Sequence, residues 1–176
     1  QKNKPRTLQR RISCLKSFSK FCIKESWIEV DFMAGVPSPK MDKRLPTYLR
    51  LTELKQLFQS LELCKQKFAL RNELLFKLLA TTGMRRQEIV DLTWRQLDFE
   101  QKSIRVYGKG RKERLLPLHP VVLPLIKKYQ AQQPAHLVHD DEPVFVNPKN
   151  KPVCPRVLHR IFKRELVRAG LPPNRF

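Results

Sequence analysis

Two short runs hold the residues best suited to chemistry: Thr82-Gly83-Met84-Arg85-Arg86-Gln87-Glu88 and Gly108-Lys109-Gly110-Arg111-Lys112-Glu113-Arg114. In the first, Gly83 allows a tight turn, and a helix starting after it would present unpaired backbone N–H groups. An arginine at that turn adds a two-pronged donor that matches a phosphate. Glu88 would sit in the first helical turn, where a negative charge suits the dipole and can hold the local structure. The plainer reading is that Arg85 and Arg86 are solvated and Gly83 merely ends the preceding helix. In the second run, a lysine between two glycines at a hairpin tip can reach into a bound duplex. Lysine can also give up a proton, which arginine effectively cannot. The plainer reading there is a basic, solvated turn. Residue types alone leave both choices open.

Other chemistries find no support. No Gly-x-x-x-x-Gly-Lys-Ser/Thr run follows a strand, and no serine or cysteine stands in a nucleophile motif. His136 and His139 have His-x-x-His spacing but fall beside acidic residues in a loop, which reads as surface, not as a metal site. Cys14, Cys22, Cys64 and Cys154 form no Cys-x-x-Cys pair, so the expectation is reduced thiols in a cytoplasmic protein, with no metal and no cofactor. The chain opens on Gln1 and shows no signal peptide, so it reads as an internal piece of a longer protein.

Composition selects the partner. Thirty-six Lys+Arg against 16 Asp+Glu give a net charge of +20 over 176 residues. That imbalance points to a polyanion, with nucleic acid ahead of an anionic membrane surface. No apolar run approaches the ~18 residues of a spanning helix, and Lys77 interrupts the longest one.

The elements that must carry these residues follow from periodicity. Residues 6–26 read as one helix with Leu8, Ile12, Leu15, Phe18 and Cys22 on a single stripe. The first 24 residues hold eight Lys/Arg and no acid, so Lys4, Arg6, Arg10, Arg11 and Lys16 are expected to face phosphates. Residues 27–36 suggest a short terminal helix, and the prolines at 37, 39 and 46 a linker. Thr52 would cap a helix over 52–62, and the apolar run at 66–80 would form the core of a second domain. Residues 102–118 read as a β-hairpin with Ile104 and Val106 inward and Pro117 confining the second strand to an edge or an end. A helix with Pro120 in its first turn follows, then an acidic loop, an extended run at 144–147, and a helix over 155–169 capped by Gly170. The fold class is mainly α with a small antiparallel β-hairpin or sheet.

The stretch from "LLATTGMRRQEIVDLTWRQLDF" through "RVYGKGRKERLLPLHP" resembles the tyrosine recombinase (phage integrase) family, most closely its Xer-type and transposon-encoded members. The Thr-Gly-Met-Arg-x-x-Glu box, the Gly-Lys-Gly-x-Lys-x-Arg-x-x-Pro-Leu hairpin and their mutual spacing carry the likeness, which extends to both ends of the chain. It implies a core-binding remnant over 1–40, a linker over 41–46 and the N-terminal part of a catalytic domain over 47–176, closing around duplex DNA like a clamp. It also implies cutting and rejoining through a 3′-phosphotyrosyl link with no metal or nucleotide, by a homo-oligomer on double-stranded DNA. Arg85 would hold the scissile phosphate and Lys109 would protonate the 5′-oxygen. Arg86, Arg111, Lys112 and Arg114 would be further DNA contacts.

The family next supplies a His-x-x-Arg, then a His or Trp, then the nucleophilic tyrosine. No His-x-x-Arg occurs in the chain, and Tyr48, Tyr107 and Tyr129 lie outside the nucleophile's place. The expectation is a recombinase truncated before its second catalytic box, with an inactive DNA-binding relative as the alternative. A basic RNA-binding protein would leave both boxes unexplained, and the aromatic ladder for single strands is missing. Truncation would also leave the apolar face of the 155–169 helix poorly covered.

Overall fold

The computed structural model describes residues 4–40, 47–108 and 113–174, and the chain divides into two compact units, Gln1–Pro46 and Thr47–Phe176. In the first, α1 (Pro5–Lys24) opens on a proline in its first turn, where a missing N–H costs nothing. Ile12, Ser19 and Cys22 are buried, while Leu8, Leu15 and Phe18 of the expected stripe stay exposed. The short helix expected over 27–36 is absent, and turns take its place. Ile28 and Val30 are stiff β-branched residues. Asp31 meanwhile accepts hydrogen bonds from the Ser19 hydroxyl and the Met33 amide, which fixes a turn instead of a helix. Phe18 meets Phe32 and Phe21 meets Trp27 edge to face.

In the second unit, α2 (Leu51–Glu62) has Arg50 as its N-cap, not the expected Thr52, which lies inside the first turn. The Glu53 carboxylate accepts the Arg50 amide at 2.8 Å and closes that end. The helix α3 (Ala69–Thr82) is buried from Arg71 to Leu78 because α2 and the helix over Leu123–Ala131 pack against it. Its polar residues are therefore matched. Lys77 donates to Glu62 at 2.6 Å and to Glu73 at 2.8 Å. Arg71 donates to the Val146 carbonyl, and Asn72 donates to Glu165 at 3.0 Å, tying α3 to the last helix. Gly83 then turns the chain in the left-handed region, φ +63°, and the five-residue α4 (Arg86–Val90) follows.

The sheet has three antiparallel strands in the order β1 (Leu97–Asp98), β2 (Ser103–Tyr107), β3 (Glu113–Pro117). Ile104 and Val106 face the core, as their alternation predicts, and β3 is an edge strand, as Pro117 predicts. Two-residue β1 is too short to carry any periodicity, and the sequence does not foretell it. The next helix, α5 (Leu123–Ala131), begins after Pro120, not at it. A start at 120 would place Pro124 where its ring strikes a preceding carbonyl, whereas a start at Leu123 puts Pro124 in the first turn. Val144, Phe145 and Val146 are buried, but in bends and one isolated bridge, Val146 to Pro152, instead of the extended run expected at 144–147, and a turn then leads to α6 (Pro155–Arg168). Gly170, φ +71°, ends α6, with the Leu171 amide on the Leu166 carbonyl and the Gly170 amide on Val167. The uncovered face expected on α6 needs correction. Leu158, Ile161, Phe162 and Leu166 are buried in the core, because α2 and α4 pack on that side. Among the described residues of that helix, Val167 is the large apolar side chain left exposed, at 60%.

Candidate active site and nucleic-acid interface

Gly83 lets α3 stop abruptly, and buried Met84 pins the next residue to the core. Arg85 therefore leaves the surface at a fixed point, in extended backbone with φ −70° and ψ 151°. Its side chain is 68% exposed, whereas that of Glu88 is 7% exposed. The Glu88 carboxylate is the hub. It accepts the Arg85 backbone amide at 2.6 Å and Arg85 Nη1 at 2.9 Å. It also accepts Arg114 Nη1 at 2.8 Å and Nη2 at 2.7 Å, one on each oxygen. The Arg114 fork is the largest cause that brings the Glu88 carboxyl down to about 2, with the two Arg85 contacts adding to it against the cost of burial. The same pairing raises Arg114 above its ordinary value.

Two sequence expectations change here. The helix after Gly83 is a single turn, and Glu88 occupies the amide that was to stay open for an anion. Arg114, expected to be a phosphate contact, commits its fork to Glu88 and ties β3 to α4. The Arg86 side chain is exposed and makes no hydrogen bond or ion pair with the described residues. Lys109, Arg111 and Lys112 lie outside the described residues. Lys4, Arg6, Arg10 and Arg11 are exposed and Lys16 is half-buried, all on the first unit.

The three tyrosines occupy different settings. Tyr129 is a core residue, stacked between Trp94 and Phe145, and burial pushes its hydroxyl up to about 12. Tyr48 and Tyr107 are exposed, the latter at the end of β2. His136 and His139 are both exposed.

Sequence reasoning missed one cationic surface. Arg156, Arg160 and Lys163 form an exposed ridge on α6, without hydrogen bonds or ion pairs to the described residues, on a helix that packs against α4. Their spacing opposite Leu158, Ile161 and Leu166 was the available signal, since residues three and four apart share a helix face.

Similarity to known proteins agrees with this geometry. Residues 47–176 match the model of the phage integrase family. Tyrosine recombinase XerC of Chlamydia caviae is 34% identical over 173 residues, covering 97% of this chain and 55% of the relative. XerC of Bacillus subtilis is 33% identical, covering 94% and 55%. XerD of Lacticaseibacillus casei is 31% identical, covering 95% and 57%. The chain thus spans about half the length of the curated relatives it matches. Among solved structures, the XerH site-specific recombinase bound to difH substrate in a pre-cleavage complex aligns with a TM-score of 0.64 and 26% identity, over 81% of this chain and 41% of that one. Lambda integrase (residues 75–356) bound to DNA aligns with a TM-score of 0.66 and 19% identity, over 98% and 63%, a likeness of fold. With the family match running through the unit that carries Arg85, Glu88 and Arg114, this chain belongs to the phage integrase family.

Proposed function

We infer that this chain forms the DNA-holding and phosphate-gripping part of a site-specific tyrosine recombinase. The observation that carries the reading is Arg85, an exposed guanidinium whose backbone is locked by a buried carboxylate at the junction of α3 and α4. A fixed cationic fork suits a phosphodiester whose oxygens gain charge during transfer. In this reading Gln1–Pro46 is the C-terminal part of a core-binding domain and Thr47–Phe176 the N-terminal part of a catalytic domain.

A tyrosine supplied from outside these residues attacks the phosphorus that Arg85 holds, and its phenolic proton passes to a base outside these residues or to solvent. The bond to the 5′-oxygen breaks, Lys109 gives that oxygen its proton, and a 3′-phosphotyrosyl link remains. The 5′-hydroxyl of a partner strand reverses the step, so strands are exchanged without net hydrolysis and without metal or cofactor. Lys4, Arg6, Arg10, Arg11, Lys16, Arg86, Arg111 and Lys112 contribute phosphate contacts, and we add Arg156, Arg160 and Lys163. Such contacts set register on the duplex and leave sequence choice to base-edge groups. Double-stranded DNA is the partner, bound by a homo-oligomer in the cytoplasm.

The test is a duplex titration against salt. Neutralising ~6 phosphates gives a log–log slope near −5. A slope near zero removes the DNA-binding reading. Incubation with a suicide duplex then separates the two classes. A denaturation-resistant adduct with the protein at its full encoded length, and none with the 176 residues alone, marks the recombinase. Tight binding with no adduct at either length marks an inactive DNA-binding relative.

A further inference from the structure

Glu88 holds two arginines at once, and they are not equivalent. Arg114 places both terminal nitrogens on the carboxylate, one per oxygen, at 2.8 and 2.7 Å. Arg85 places only Nη1 there, at 2.9 Å. Exposure follows the same order. The carboxylate is 7% exposed, Arg114 34% and Arg85 68%. Arg114 thus supplies most of the neutralisation of a buried charge, and Arg85 keeps its remaining donors toward solvent. Two guanidiniums and one carboxylate leave this cluster with a net positive charge, and that charge resides on the exposed partner.

We propose that Arg114 is a positioning residue for Arg85: by saturating Glu88 it keeps Arg85 from collapsing onto that carboxylate and leaves it free for a phosphate. This rests on the recombinase reading above. Without Arg114, Glu88 has Arg85 as its one cationic neighbour in the cluster. A buried carboxylate deprived of a partner recruits the remaining one strongly, and an arginine fork can close on both oxygens. The pair would then carry no net charge, and an incoming phosphate would have to displace a carboxylate. The role differs from that expected of a DNA contact, because Arg114 need not touch DNA at all. It also links the hairpin to the phosphate site, since β3 carries Arg114 opposite Val106 of β2.

Single-turnover cleavage of a suicide duplex by the protein at its full encoded length tests this, alongside DNA affinity and thermal melting. Arg114→Gln should slow cleavage by about tenfold or more while affinity stays within about twofold, the scale of coupling between contacting residues. Glu88→Gln combined with Arg114→Gln should cleave faster than Arg114→Gln alone, because a neutral amide no longer traps Arg85. Arg114→Lys should recover part of the loss by restoring the charge without the fork. A merely structural role predicts the opposite order, with the double variant as slow as the single or slower. That order, or an Arg114→Gln variant that cleaves like the unmodified protein, overturns the proposal. Failure of the unmodified protein to cleave overturns instead the recombinase reading on which it rests.

Discussion

Glu88→Gln removes the charge at the centre of the site while keeping the shape of the side chain. In the folded protein the carboxyl is brought from 4.5 to about 2 by the Arg114 fork and by Arg85. At ~1.36 kcal/mol for each tenfold change in proton affinity, this lowering corresponds to about 3 kcal/mol of stability at neutral pH. The side chain is 7% exposed, so solvent screening takes only a small part of this. The sign follows from the direction. Because the folded value is depressed, the contribution is complete above the ordinary value of 4.5 and disappears as pH falls through about 2. By the same linkage about 1 kcal/mol remains at pH ~3. The variant should therefore be less stable than the unmodified chain by about 3 kcal/mol at pH ~7 and by about 1 kcal/mol at pH ~3. Urea unfolding followed by the fluorescence of buried Trp94, in a Trp27→Phe background to silence the exposed tryptophan, measures both. Equal loss of stability on acidification in the two proteins would refute the reasoning, since the ionised carboxylate would then not be the group that titrates.

Three further outcomes are expected, the first two on the recombinase reading and the third from the backbone geometry. Arg85→Ala at full encoded length should lower cleavage by about 10²-fold or more with DNA binding nearly intact, whereas Arg86→Ala should do much less; an essential Arg86 would shift the placement by one residue. Lys109→Ala should be largely rescued by a bridging 5′-sulfur at the cut site, because a thiolate leaves without a proton, and absence of rescue would assign Lys109 to phosphate positioning. Gly83→Ala meets no atom within 4 Å but must hold φ +63°, so a melt should show destabilisation of about 1 kcal/mol from backbone strain alone; an unchanged melting temperature would mean that the turn relaxes.

Local pattern determined much of this molecule. The charge of +20 points to a polyanion by composition alone. The helix α1, the alternation in β2 and the glycine after α6 lie where short-range rules place them, because each depends on neighbours within a few residues. Short-range rules also put Arg85 just beyond a helix-ending glycine, where the structure has it, but left open whether it is merely solvated or faces a phosphate; that role came from the family resemblance. The tertiary structure decided what depends on distant partners. Glu88 receives Arg114 from 26 residues away, and no periodicity reveals which arginine a buried carboxylate takes up and which stays exposed. Lys77 breaks an apolar run in sequence, yet it is buried, because Glu62 on α2 and Glu73 one turn back neutralise it. The face of α6 that was expected to be bare is filled by α2 and α4. Helix and strand periods report which side of an element is apolar. Only the fold determines what that side meets, because burial free energy is realised between elements rather than within them.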